Sequence, residues 1–250
     1  VMPSSPYHLT AAQLRKALRA DLPALPELEP YRARPAALRA QPAAQHVLKI
    51  TAPLLEGIEA LPQTRYTHFR YFVSTGDRKT YETPYFLKRQ ALGGFVLRLF
   101  LGETRWKPLV QDYLWDICEE STWVLPAHER GGDNDLFSAE TAFALASTLH
   151  LLGDTLDAEV RARVRFEVER RVFQPYLSHP NTYWWYKGYN NWNGVCNGSI
   201  GCAFLLLEPD QARVAQALEI ILAGLDTFLD VAFEADGTST EGVAYWHYGL

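Results

Sequence analysis

Three asparagines around a tryptophan make Asn190-Asn191-Trp192-Asn193-Gly194 the most chemically suggestive stretch of the chain. It runs straight into the small and apolar segment Val195-Cys196-Asn197-Gly198-Ser199-Ile200-Gly201-Cys202-Ala203-Phe204-Leu205-Leu206-Leu207. The apolar part reads as a buried helix. The asparagines then sit at or just before its N-terminus, where backbone N–H groups lack partners and favour anions. Immediately upstream, Tyr183-Trp184-Trp185-Tyr186-Lys187-Gly188-Tyr189 carries five aromatic rings in seven residues. Amide donors, a helix N-terminus and amphipathic rings are together what a polyanionic sugar would require of its site. The competing reading is that the asparagines cap a core helix and the rings belong to the core.

A second stretch of this kind closes the chain: Asp236-Gly237-Thr238-Ser239-Thr240-Glu241-Gly242-Val243-Ala244-Tyr245-Trp246-His247-Tyr248-Gly249. It gathers two carboxylates, an imidazole and two phenols, all groups able to carry protons. A third, Trp123-Val124-Leu125-Pro126-Ala127-His128, is followed within a few residues by Asp133-Asn134-Asp135.

The elements that must position these groups read as helical hairpins. Apolar helices end at Gly102, Gly153 and Pro209, at intervals of about 50 residues, and each Gly or Pro suits a helix C-terminus. A more amphipathic helix follows each turn. In 211–232, Val214, Leu218, Ile221, Leu222, Leu225 and Leu229 fall on one stripe, and in 158–174 Val160, Val164 and Val168 do the same among charged neighbours. Strand signals are nearly absent. Hairpins at 85–120, 139–174 and 194–232 that must bury one another point to an all-α solenoid or closed α/α toroid. The helix over 191–207 is about 26 Å long and its partner over 211–232 about 33 Å. The chain therefore returns to the end it left, and 186–193 and 234–248 share one rim. By the same geometry loops over 63–84 and 122–137 are expected on that rim too, and long loops carry function. Upstream, residues 1–62 read as a helical segment rich in Ala, Leu and Pro. Thr10 is placed to cap a short helix over 11–20, and further helices are expected over 31–40 and 43–60. The partition is thus 1–62 and 63–250.

Composition narrows the partners. With 48% hydrophobic and 21% charged residues, 250 residues are enough for a full core. A net charge of −5 with no basic stripe argues against nucleic acid. No uninterrupted apolar run reaches the roughly 18 residues of a membrane span, and no signal-peptide pattern opens the chain. Cys118, Cys196 and Cys202 have no metal-binding spacing and read as small core residues.

Taken together, Trp123–His128, Asp135-Leu136-Phe137-Ser138-Ala139-Glu140-Thr141-Ala142, Asn190–Asn193 and Asp236–Gly249 resemble the ordered motifs of the heparinase II/III-like family of polysaccharide lyases, over roughly residues 85–250. The resemblance implies an α/α toroid followed by an antiparallel β-sandwich, which would lie beyond Leu250 together with its histidine and any metal site; no cofactor is expected in this chain. It implies β-elimination on an acidic, uronate-containing polysaccharide, and a periplasmic or secreted setting. In such a reaction donors fixed on the substrate carboxylate stabilise the carbanion-like transition state, and a tyrosine transfers the proton. Motif by motif, the carboxylate-binding role falls on Asn191 and proton transfer on Tyr245, with Tyr248 the second choice and His247 a further catalytic candidate. His128, Trp184, Trp192, Asn193, Glu241, Trp246 and Tyr248 are then expected to face substrate. One departure stands out: where many members carry His directly after the asparagine, this chain has Trp192. Two other readings stay open. A glycoside hydrolase needs two carboxylates flanking the bond, for which Asp133, Asp135 and Glu241 are available, and a carbohydrate-binding fragment needs none.

Overall fold

The protein is described by a computed structural model covering residues 8–19, 25–56 and 60–249, apart from the side chains of Leu54, Arg130 and Trp246. It is all-α; among the described residues there is no strand, only an isolated bridge between Phe233 and Ser239. The helices are α1 (Ala11–Ala17), α2 (Glu29–Arg32), α3 (Pro35–Arg39), α4 (Pro42–Thr51), α5 (Tyr66–Thr75), α6 (Lys79–Phe100), α7 (Lys107–Glu119), α8 (Leu136–Leu152), α9 (Ala158–Val168), α10 (Gln174–Ser178), α11 (Asn191–Leu207), α12 (Gln211–Val231) and α13 (Val243–Gly249). Two compact units share them. One comprises Val1–Leu22, His128–Ala146 and Glu167–Leu250; the other comprises Pro23–Ala127 and Ser147–Phe166. This division follows spatial contacts and does not coincide with a partition at 62/63.

In the second unit, α6 and α7 pack as an antiparallel-type hairpin joined through Gly102, whose φ of 93° suits glycine. Tyr81, Tyr85, Lys88, Leu92, Phe95 and Leu99 repeat at three and four residues and are all buried. One of them is a lysine. The cost of burying Lys88 is offset because its Nζ meets Glu120 at 2.9 Å and also pairs with Asp116. Arg89 binds the other oxygen of Glu120 at 2.8 Å and lies 3.4 Å over the Tyr85 ring, so two cations face two carboxylates. Burial and the Glu120 charge push the Tyr81 phenol up to about 12.

In the first unit, α11 lies against α12, and both α1 and α13 dock on this pair. Thr10 caps α1 as its sequence predicts, in a reciprocal box with Gln13. The approach of α11 to its neighbours is close enough to exclude side chains. A Cβ at Gly194 would lie 2.5 Å from the Gly249 carbonyl oxygen and 2.8 Å from the Phe228 ring. At Gly224 of α12 it would meet Asn197 Nδ2 and the Tyr186 carbonyl oxygen, each at 2.7 Å. These glycines bring α12 and α13 onto the first turns of α11, and that contact positions the candidate site.

Several expectations are corrected. Residues 63–84 are not a loop: α5 and the start of α6 occupy most of them. Gly76, left-handed at φ 73°, caps α5 by donating its N–H to Phe72 O, and the polar, aromatic surface of α5 hides its helical character from periodicity. The closing stretch is likewise helical from Val243. Cys118 and Cys196 are buried as expected, but Cys202 is exposed. The segment Leu136–Thr155 is long and apolar enough to cross a membrane by composition, yet 56% of it is buried inside the protein, as in the core helix of a globular domain.

Candidate functional site

The asparagines at the start of α11 divide into two roles. Asn193 is fully buried: its Nδ2 donates to the carbonyls of Gly188 at 2.7 Å and Gly224 at 2.8 Å, and its Oδ1 accepts from Asn197 Nδ2 at 2.6 Å. Asn197 in turn accepts from the buried Tyr176 hydroxyl at 2.5 Å. This network ties the aromatic loop to α11 and α12. Asn193 was expected on the substrate surface; a side chain this buried and this engaged holds the fold instead.

Asn191 is 5% exposed and grips a carboxylate. Its backbone N–H donates to Glu241 Oε2 at 2.5 Å and its Nδ2 to Oε1 at 2.9 Å. Asn190, the residue before the helix, makes no side-chain cap. One vacant donor of the first turn, the Asn191 N–H, is thus met by an acidic side chain from 50 positions away, in the geometry that helix termini offer to anions. Glu241 is half-buried and reaches this position from a turn closed at Gly242, whose φ is 90°.

A second cluster adjoins the first. His128 Nδ1 lies 2.8 Å from Asp135 Oδ2, and the two side chains are 12% and 1% exposed. Asp135 Oδ1 accepts from Ser138 N–H at 2.7 Å, which fixes the carboxylate at the start of α8. The imidazole stacks on Phe137, with centroids 5.7 Å apart, and meets the Trp192 ring edge-to-face at 4.8 Å. Trp192 also contacts Trp184, at 4.9 Å between centroids. Trp184 is 55% exposed, whereas its neighbour Trp185 is fully buried and donates Nε1 to the Asn134 carbonyl. Of the five rings in that loop, Trp184 and Tyr189 face solvent and Tyr183, Trp185 and Tyr186 belong to the core.

Tyr248 completes the group. Its hydroxyl donates to Glu140 Oε1 at 3.0 Å, and the next residue, Gly249, sits against Asn191. Burial first, and then the nearby Glu140 charge, raise the Tyr248 phenol above its ordinary range, so it keeps its proton. Burial also raises the Glu140 carboxyl, and the Asp135 charge adds to this. Asp135 acts on Tyr248 in the same sense, so the two acid–aromatic pairs feel one another's field. Buried Cys196, in the same field, has its thiol held well above the usual range by burial, which keeps it protonated and inert.

Tyr245 shares a helix face with Tyr248, three residues on, and is 49% exposed against 37% for Tyr248. His247 is exposed, and the Trp246 side chain lies outside the described residues. Glu140 was not singled out in the sequence; the signal available was its place in the Asp135–Ala142 motif. Among the described residues, no group of three or more His, Cys, Asp or Glu side chains is arranged to hold a metal ion. No protein-family model matches the chain, and no curated protein matches it either.

Proposed function

We propose that the protein is a polysaccharide lyase that cleaves a uronate-containing chain by β-elimination, built on hairpins of an α/α toroid. The observation carrying this reading is the grip of Asn191 on a carboxylate. Two donors at a helix N-terminus hold Glu241 as they would hold a uronate, beside an exposed tryptophan and a proton-bearing tyrosine. The sugar carboxylate would displace Glu241 from Asn191, and Trp184 with Trp192 would stack on the sugar faces. With the carboxylate neutralised, the C5 proton becomes removable, and Tyr248 protonates the glycosidic oxygen leaving C4. Tyr248 is preferred to Tyr245 because it is held by Glu140 and kept protonated; Tyr245 and His247 lie further into solvent on the same short helix and serve in substrate contact.

The substrate class is an acidic polysaccharide, and the reaction leaves a conjugated C4–C5 double bond that absorbs ultraviolet light. The test is appearance of that absorbance from heparan sulfate, hyaluronan, alginate and acidic bacterial glycans. New reducing ends without ultraviolet absorbance would identify a hydrolase, with Glu140 as its acid. Affinity without any product would identify a carbohydrate-binding protein.

A further inference from the structure

The group that removes the C5 proton is left open by the assignment above, since a tyrosine kept protonated suits an acid better than a base. We infer that His128, oriented by Asp135, is that base. The inference rests on the lyase reading and divides its proton transfers between two residues.

The geometry supports this in three ways. First, Asp135 is buried and anchored by Ser138 N–H, so its second oxygen is fixed where it accepts from His128 Nδ1. A carboxylate at Nδ1 favours a proton on that nitrogen and leaves Nε2 as the nitrogen that exchanges one. Among the described residues Nε2 has no hydrogen-bond partner, and the imidazole is 12% exposed. Second, Phe137 on one face and Trp192 at close range fix the ring plane, which a proton acceptor needs if it is to meet one carbon rather than sample many. Third, Trp192 joins this imidazole to the rest of the site: it follows Asn191 directly in sequence and touches exposed Trp184.

The step balances within the two residues. The C5–H bond breaks and its proton passes to Nε2, giving imidazolium. The electron pair forms the C4=C5 double bond as the C4–O bond breaks. The departing oxygen takes the Tyr248 proton, leaving a phenolate. Exchange with water returns the proton from His128 and restores that of Tyr248. Asp135 is a positioning residue, and it stabilises the imidazolium without itself moving a proton.

The test is steady-state lysis by the full chain, read as ultraviolet absorbance on the polymer panel, for His128→Ala, Asp135→Asn and Tyr248→Phe. His128→Ala is expected to lower kcat by about 10²–10⁴-fold and to recover part of it on addition of free imidazole. Asp135→Asn nearly preserves shape. Its Oδ1 stays with Ser138 N–H, turning Nδ2 toward His128 Nδ1 and forcing the lone pair onto the wrong nitrogen. It is expected to lower kcat by at least about 10²-fold with little change in KM, and imidazole should not help it. If both variants melt like the parent and keep kcat, while Tyr248→Phe loses it, His128 merely packs and the lyase reading survives alone. A loss in His128→Ala that imidazole does not restore, with Asp135→Asn unaffected, also overturns the assignment. If the unaltered chain gives no unsaturated product, the lyase reading fails and takes the base with it.

Discussion

The Tyr248 hydroxyl donates to Glu140 Oε1 at 3.0 Å, joining the last helix to α8 across 108 positions of sequence. This bond separates two tyrosines that the sequence leaves nearly equivalent. Replacing Tyr248 with Phe keeps the ring and removes the proton, so kcat for lysis should fall by about 10²–10⁴-fold. Tyr245→Phe should cost less than about tenfold, expressed mainly in KM. Rates of ultraviolet product formation for the pair check this; the reverse order would return the acid role to Tyr245.

Glu140 gives a pH signature. Burial raises its carboxyl pKa, so the folded protein keeps this proton at pH values where the unfolded chain has released it. The native state then binds more protons than the unfolded state, and the Glu140 contribution to stability declines as pH rises above the ordinary value of 4.5 toward and through the folded one. Glu140→Gln has no such group. Its stability relative to the parent should therefore rise across that window, measured by urea unfolding between about pH 4 and pH 7. A constant difference would mean that the folded protein does not shift this carboxyl.

The two kinds of ion pair in the second unit should behave differently. Lys88 is 2% exposed in its side chain and lies between Glu120 and Asp116. Lys88→Met leaves those carboxylates with less compensation and should cost about 3 kcal/mol or more. Lys107 pairs with Asp157 at 2.8 Å but in solvent, and Lys107→Met should cost less than about 1 kcal/mol. Denaturant midpoints of the two variants test the contrast.

The helical class and the bounds of α11 and α12 were legible because their apolar stripes and terminal Gly or Pro residues are local signals. Local patterns could not show that Asn191 and Asn193, two positions apart, would part so completely. One side chain meets a carboxylate from position 241, and the other faces carbonyls at 188 and 224. Glu241 and Gly224 are 50 and 31 positions from the asparagines they meet, and the close contact at Gly224 that exposes its carbonyl to Asn193 leaves no mark in periodicity. The same holds for Trp192. In sequence it reads as a missing histidine, and in three dimensions the ring touches His128, which arrives from 64 positions upstream. Helix α5 was missed for a different reason. Its Tyr66, Tyr71 and Val73 are exposed among polar neighbours, so its apolar residues are not confined to one buried stripe that periodicity could pick out.

Glu241 supplies the last test, because it occupies the donors of Asn191. If it only caps α11, Glu241→Gln should lower stability by about 1–2 kcal/mol, as expected when a charge-assisted hydrogen bond at a partly exposed helix end becomes a neutral one. If the same donors also serve a uronate, the weakened occupant should be easier to displace. Glu241→Gln should then bind acidic oligosaccharides several-fold more tightly, keep lytic activity, and show no such gain for neutral oligosaccharides. Calorimetric titration with uronate and neutral ligands separates these outcomes. Loss of activity with unchanged affinity would make Glu241 one of the reacting carboxylates and favour hydrolysis. Lower stability with no change in either would restrict Glu241 to holding the 233–242 turn against α11.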